Sequence, residues 1–345
     1  MSLLPDPSDR RDWERPGAFE VAPGVHRIPL PLPDDGLRAV NVYAVQDGDR
    51  LVLVDSGWAL AESRKRLEVA LASLGHDLGD VSRFLVTHAH RDHYTQAVVI
   101  RRLFGTRVAL GIGEEPTLRE IKSGTGKLPP RLLLALLQAA GATPLIEQLL
   151  AWSQERDAED LSEWADPDEW LHGGTDAGLA ARSLRVIATP GHTRGHVVFH
   201  DPKARLLFAG DHVLPHITPS IGFESVPSDR PLSDYLASLD TIAGLADSML
   251  LPAHGPVQPS TSARIAQLIE HHRIRLDATL AVVSVSTAYA VARELLWTSR
   301  GRVFDSLDAF NQMLAVNETI AHLDVLADRG ALRVTERDGV RFYAA

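Results

Sequence analysis

Short apolar runs, each closed by Pro, Gly or Asp, dominate the first third of the chain. "GVHRIPL" (24–30), "AVNVYAV" (39–45) and "LVLVDSG" (51–57) have the Val content and the boundaries expected of β-strands. Residues 59–74, "ALAESRKRLEVALASL", instead repeat apolar positions at helical spacing and stop at Gly75. "VSRFLVTH" (81–88) reads as a buried strand, 95–104 as a helix and "TRVALG" (106–111) as a strand again. The pattern resumes at "SLRVIATPGH" (183–192), "HVVFHD" (196–201) and "ARLLFAGDH" (204–212). A helix at 232–246 and a strand at 249–251 lead to "PAHGP" (252–256). Strands alternating with helices predict an α/β layered core.

Two stretches depart from that rhythm. Segment 114–172 contains "PPRLLLALLQAAGATPLIEQLLAW" (129–152), an apolar helical pair broken at Gly141 and Pro144, and predicts an insertion that either pads the core or covers a substrate. From 261 onward the chain reads as helical, with helices near 286–296, 306–315 and 316–329. Two short strands then meet at "ERDG", an Asp-Gly hairpin turn. Helix–helix–helix–hairpin is the layout of a winged helix. The expected division is a domain over 1–260 and a helical linker with a winged-helix-like domain over 261–345.

Composition narrows the chemistry. The chain has 345 residues, 45% hydrophobic and 23% charged, which is ordinary for a globular protein with ample core. No apolar run is long enough for a membrane span. The acidic, Pro-containing start does not resemble a signal peptide, so a cytoplasmic location is expected. Without cysteine, any metal site must use His, Asp or Glu. A net charge of -10 argues against broad affinity for polyanions.

Four strand ends carry metal-ligand residue types: His88, His90, Asp92 and His93 in "THAHRDH", His192 in "TPGHTRGH", Asp211 in "FAGDH" and His254 in "PAHG". Loops at one edge of layered sheets converge, so these residues can meet. The set exceeds what one tetrahedral ion needs and suits zinc, manganese or iron. A carboxylate such as Asp211 can bridge two ions about 3.5–4 Å apart.

"HAHRDH", "GHTRGH", "AGDH" and "AHG" occur in the order of the metallo-β-lactamase superfamily motifs, and "LVLVDSGW" resembles its early strand ending in Asp-x-Gly. The resemblance spans residues 20–256. It implies an αββα sandwich with two divalent ions at one edge. His88, His90 and His192 would hold the first, Asp92, His93 and His254 the second, and Asp211 would bridge them. Asp55 would orient the metal histidines. Such ions lower the pKa of a shared water, supply a bridging hydroxide and polarise the carbonyl or phosphoryl oxygen under attack. Asp92 is a candidate proton acceptor. Tyr94, His212 and His216 are candidate donors to a developing oxyanion. Family members often continue the first motif as DHxGG or DHxGA, whereas Thr95 and Gln96 stand here, which weakens transfer of a substrate from glycine-bearing enzymes.

The missing export signal and missing cysteine argue against β-lactams. No basic segment for glutathione binding marks a glyoxalase II. The C-terminal layout resembles a subgroup that includes a metallo-β-lactamase-fold ribonuclease. Residues 277–345 carry seven Arg, no Lys and nine acidic residues, and "VNETIAHLDVLADRG" has only Arg329 against Glu318, Asp324 and Asp328. Nucleic-acid reading needs a basic face, so a packing or dimerising role is expected, with single-stranded RNA not excluded. The apolar insertion favours a small molecule with an apolar arm. The expected activity is therefore hydrolysis of a thioester, ester or lactone. The alternatives are an endoribonuclease and a metal-sensing winged-helix regulator.

Overall fold

The computed structural model describes residues 4–5, 12–33, 36–155, 157–298 and 301–345. Arg300, counted above among the C-terminal arginines, lies outside them. One sheet has eight strands in chain order: β1 (Leu4–Pro5), β2 (Phe19–Ala22), β3 (Val25–Pro31), β4 (Ala39–Asp47), β5 (Arg50–Val54), β6 (Val81–Val86), β7 (Arg107–Gly111) and β8 (Glu169–Leu171). The second is ordered β12 (Met249–Pro252), β11 (Leu206–Gly210), β10 (Val197–Asp201), β9 (Arg185–Ala188). Strands β5 to β8 are parallel, as are β11 and β12, so their C-terminal ends lie along one edge of each sheet.

Side-chain alternation with period two sets the layers. Val52 and Val54 of β5 enter the core between the sheets with Phe199, Phe208 and Leu251, whereas Leu51 and Leu53 face helices α1 (Ala61–Ser73) and α2 (Arg91–Phe104). In the second sheet Val197 and Phe199 face inward, while Val198, Leu207 and Ala209 turn out toward helices. The result is the expected αββα sandwich.

The insertion forms α3 (Glu115–Ser123), α4 (Arg131–Ala139) and α5 (Thr143–Glu155), and the end of the span expected as insertion returns to the large sheet as β8. Leu133, Leu137, Leu145 and Leu149 join one core with α6 (Pro231–Ala243), α7 (Thr261–Val282), α8 (Ala288–Glu294) and α9 (Ala309–Asp328). The buried face of the insertion is thus core packing.

Helix α9 corrects the expected break at 315: no Gly or Pro interrupts 309–328, and Asp308 caps its start by accepting from Asn311 N at 2.9 Å. Strand β13 (Ser286–Thr287) precedes α8, and a small hairpin, β14 (Leu296–Trp297) and β15 (Arg302–Val303), follows it. Strands β16 (Arg333–Arg337) and β17 (Val340–Ala344) pair across Asp338 and Gly339, both at positive φ, as an Asp-Gly hairpin requires. β17 also pairs with β13. Residues 319–326 of α9 are all buried, so the middle of the segment considered for groove reading lies inside the core, while its end from 328 is exposed. Among the described residues no helix is long and apolar enough to cross a membrane.

A buried histidine pair ties α7 to α9. His322 Nδ1 donates to Glu318 O at 2.7 Å, leaving its Nε2 to accept from His272 Nδ1 at 3.3 Å. Burial lowers the pKa of His272 to about 2, helped by His322, His271 and Arg275, and burial lowers that of His322 to about 4. The unfolded imidazoles titrate near 6.5, so unfolding takes up protons below that pH. The pair's contribution is complete above pH ~6.5 and is lost as pH falls toward the folded values. Replacing His322 with Gln is expected to remove about 2 kcal/mol from the parent's loss of stability between pH 6.5 and 5. Urea unfolding at both pH values checks this, and an unchanged loss would contradict it.

Candidate metal centre

The expected ligands all fall on loops or in the first turn of a helix at the shared sheet edge. His88 and His90 follow β6, His192 follows β9, Asp211 follows β11 and His254 follows β12. Helix α2 begins at Arg91 rather than 95, with His90 as its N-cap residue, so Asp92 and His93 sit in its first turn. These side chains form two groups, His88, His90, His192 and Asp211 in one and Asp92, His93 and His254 in the other. Within each group the ligand atoms lie within 4.8 Å of one another.

In the first group His88 Nε2 lies 3.0 Å from His90 Nδ1, and His192 Nε2 lies 3.3 and 3.2 Å from those two atoms. These approaches are not hydrogen bonds, because each ring's proton is committed on its far side. His90 Nε2 donates to Phe223 O at 2.8 Å and His192 Nδ1 to Ser220 O at 2.6 Å. His88 Nδ1 donates at 3.0 Å to Thr87 Oγ1, whose own proton goes to Asp55. Three lone pairs therefore face one another, an arrangement that a cation relieves. Burial keeps all three rings unprotonated, with the pKa of His90 lowered to about 3.

The second group carries the opposite imbalance. His93 Nε2 lies 3.5 Å from Asp92 Oδ2, and His254 Nε2 lies 3.4 Å from the same oxygen. Asp211 spans the groups: Oδ2 is 3.4 Å from His192 Nε2, and Oδ1 is 3.3 Å from His254 Nε2 and 3.7 Å from His93 Nε2. Burial lowers the pKa of His93, but Asp92, Asp55 and Asp211 outweigh it and raise the value to about 10. Asp211 and Asp92 likewise raise His254 against its burial. His93 Nε2, His254 Nε2 and Asp211 Oδ1 are buried and lack a hydrogen-bond partner. Buried polar atoms are normally paired. Orphaned ligand atoms and surplus carboxylate charge fit a divalent cation.

Residues behind the ligands fix their aim. Asp55, at φ 60°, holds a left-handed conformation uncommon for non-glycine residues. It accepts from Thr87 N at 2.8 Å, from Thr87 Oγ1 and from His93 Nδ1 at 3.0 Å. Asp55 thus orients two ligands and is a positioning residue.

His196, the last residue of "GHTRGH" and not among the expected ligands, accepts from Asp211 N at 3.2 Å and lies 2.8 Å from Thr189 Oγ1. Gly210, at φ 51°, leaves no room for a Cβ, which would stand 2.7 Å from both His196 Nε2 and Thr87 Oγ1. The His254 loop is tied to β4. Asn41 N donates to Ala253 O, Asn41 Nδ2 to Pro252 O and Gly255 O, Tyr43 Oη to Pro252 O, and His254 Nδ1 to Ala39 O at 2.7 Å. The fully buried Arg27 donates to Asn41 Oδ1 at 2.9 Å. Asn41 is the one polar residue in "AVNVYAV", the only sequence signal that marked it.

Of the expected oxyanion donors, Tyr94 is committed to another partner. Tyr94 is fully buried and donates to Ala165 O at 2.6 Å, stacked near Trp164. His216 is exposed on the loop after β11, outside both ligand groups. His212 is buried against the Tyr235 ring. Thr95 Oγ1 accepts from Ala59 N at 2.9 Å and Gln96 N donates to Gly57 O, so both hold the 56–59 loop on α2.

Known proteins are similar to this chain in sequence and fold. A sequence profile of the metallo-beta-lactamase superfamily matches residues 35–254. "Probable metallo-hydrolase YqjP" of Bacillus subtilis is 27% identical over 324 residues, covering 89% of this chain and 92% of its own. The Drosophila melanogaster beta-lactamase-like protein 2 homolog is 26% identical, with 89% and 88% covered. The crystal structure of a metallo-beta-lactamase family protein from Thermus thermophilus superposes with a TM-score of 0.76 at 28% identity, covering 94% of this chain and 99% of that one. A beta-lactamase domain protein from Burkholderia ambifaria gives 0.76 and 28%, with 99% and 95% covered.

Replacing Asp55 with Asn is expected to weaken zinc binding by roughly 10–100-fold, the usual loss when a partner of a ligating histidine is removed. Competition against a chromophoric chelator measures it, and unchanged affinity would contradict the positioning role.

Proposed function

Because the chain belongs to the metallo-beta-lactamase superfamily of metal-dependent hydrolases, we propose that it holds two divalent ions, zinc in the first instance, and cleaves an ester-type bond of an apolar small molecule: a thioester, ester or lactone. The observation that carries the reading is the carboxylate of Asp211, with one oxygen toward each ligand group. His88, His90 and His192 would hold one ion and Asp92, His93 and His254 the other, with Asp211 between them. When bound, such a pair supplies a water that ionises near neutral pH and a Lewis acid for the scissile carbonyl.

The chain's own groups complete the account. Burial opposes ionisation of Asp92, but His93 and His254 outweigh it and hold the carboxyl well below its usual range. Asp92 is therefore an anion at neutral pH, 14% exposed at its side chain, and is placed to take a proton released at the centre. Asp55, Thr87 and His196 keep the ligand atoms fixed, so little reorganisation accompanies the reaction. A small-molecule substrate is preferred over RNA because the helix that would have to read a nucleic acid is buried through its middle and carries acidic residues without a Lys or Arg.

Release of thiol from acyl-coenzyme A thioesters of graded length, by zinc-loaded protein, is the test. We expect turnover that falls at least about 100-fold in Asp211→Asn, the scale of losing a main electrostatic contributor. Absence of release above the variant, with lactones and simple esters equally inert, would overturn the reading.

A further inference from the structure

A line of aromatic rings leaves the metal centre on the side of ligand His90. Phe223, on the loop between β11 and α6, accepts the His90 Nε2 proton through its carbonyl, and its ring centroid lies 5.9 Å from the imidazole. Phe310, in the first turn of α9, meets the Phe223 ring edge-on at 5.4 Å. Trp152, near the end of α5, lies 6.3 Å from Phe310. Three elements distant in sequence thus converge on one track.

The outer rings are not consumed by that packing. Phe310 is 37% exposed and Trp152 41% exposed. A single exposed apolar side chain is ordinary. Contiguous aromatic surface running up to convergent polar groups is the composition of a small-molecule site. Leu133, Leu137, Leu145 and Leu149 of the insertion are spent on the shared core, whereas Trp152 stands on the track that leads from the centre.

We propose that Phe223, Phe310 and Trp152 form the floor that binds the acyl arm of the substrate, with its carbonyl at the His90 end and its tail over Phe310 and Trp152. The assignment rests on the reading of the centre as an ester-cleaving hydrolase, and it makes the two exposed rings determinants of chain length.

Binding of fatty acids, the acyl products of such a reaction, tests it without turnover. Titration calorimetry on the zinc-loaded full chain compares octanoate with butyrate, in the parent and in Trp152→Ser, Phe310→Ser and the surface control Val69→Ser. Octanoate is expected to bind at least tenfold more tightly than butyrate. Each aromatic substitution should erode that preference by about tenfold, the scale of one lost aromatic contact, while Val69→Ser keeps it. Equal affinity for the two acids in the parent, or a preference that survives both aromatic substitutions, would overturn the assignment. So would sedimentation showing that the substitutions split a dimer while the preference persists, which would make the patch a self-association face. An aromatic-dependent preference without hydrolysis of any acyl ester would instead retain the subsite and sink the proposed reaction.

Discussion

One carboxylate between two imbalanced clusters governs this structure. On one side of Asp211, three imidazole lone pairs converge at 3.0–3.3 Å, a repulsive arrangement if left alone. On the other, Asp92, Asp55 and Asp211 surround two histidines and pull their protonation upward. Neither side is satisfied by protein hydrogen bonds, and both would be relieved by positive charge between the ligand atoms. The fold has to hold these groups in place against their mutual cost.

It does so from behind, with rigid elements. Strands β5, β6, β9, β11 and β12 end along the ligand edge, and the ligand loops are fastened by groups that lie behind the ligand atoms. Asp55 and Thr87 aim His88 and His93, His196 holds the backbone of Asp211, and Asn41 with Arg27 ties down the His254 loop. Such supports set ligand orientation and basicity as much as the ligands do. The C-terminal helices contribute differently, by closing one core with the insertion and setting Phe310 beside Phe223.

Much of this was legible in the sequence. Period-two strands, the Asp-Gly hairpin and the clustered histidines at strand ends depend on local chemistry and are read locally. The misses share a cause. Starting α2 at 91 rather than 95 puts Tyr94 inside a helix, about 100° round from His93, so its hydroxyl finds Ala165 rather than the site. Asn41 and His196 act through backbone atoms far away in sequence, and a lone polar residue in an apolar strand does not say which loop it holds. The composition of the apolar insertion left core packing and a substrate cover both open, and four of its leucines join the core shared with α6 to α9, a tertiary contact invisible to periodicity.

The central claim is that Asp211 lies between two ions. It is tested most directly by counting metal on the purified full chain after zinc loading and dialysis, for the parent and for His254→Ala. The account predicts about two ions per chain in the parent and about one in the variant, as a shared carboxylate with two ligand groups requires. A single ion in the parent, or the same count in both proteins, would contradict it.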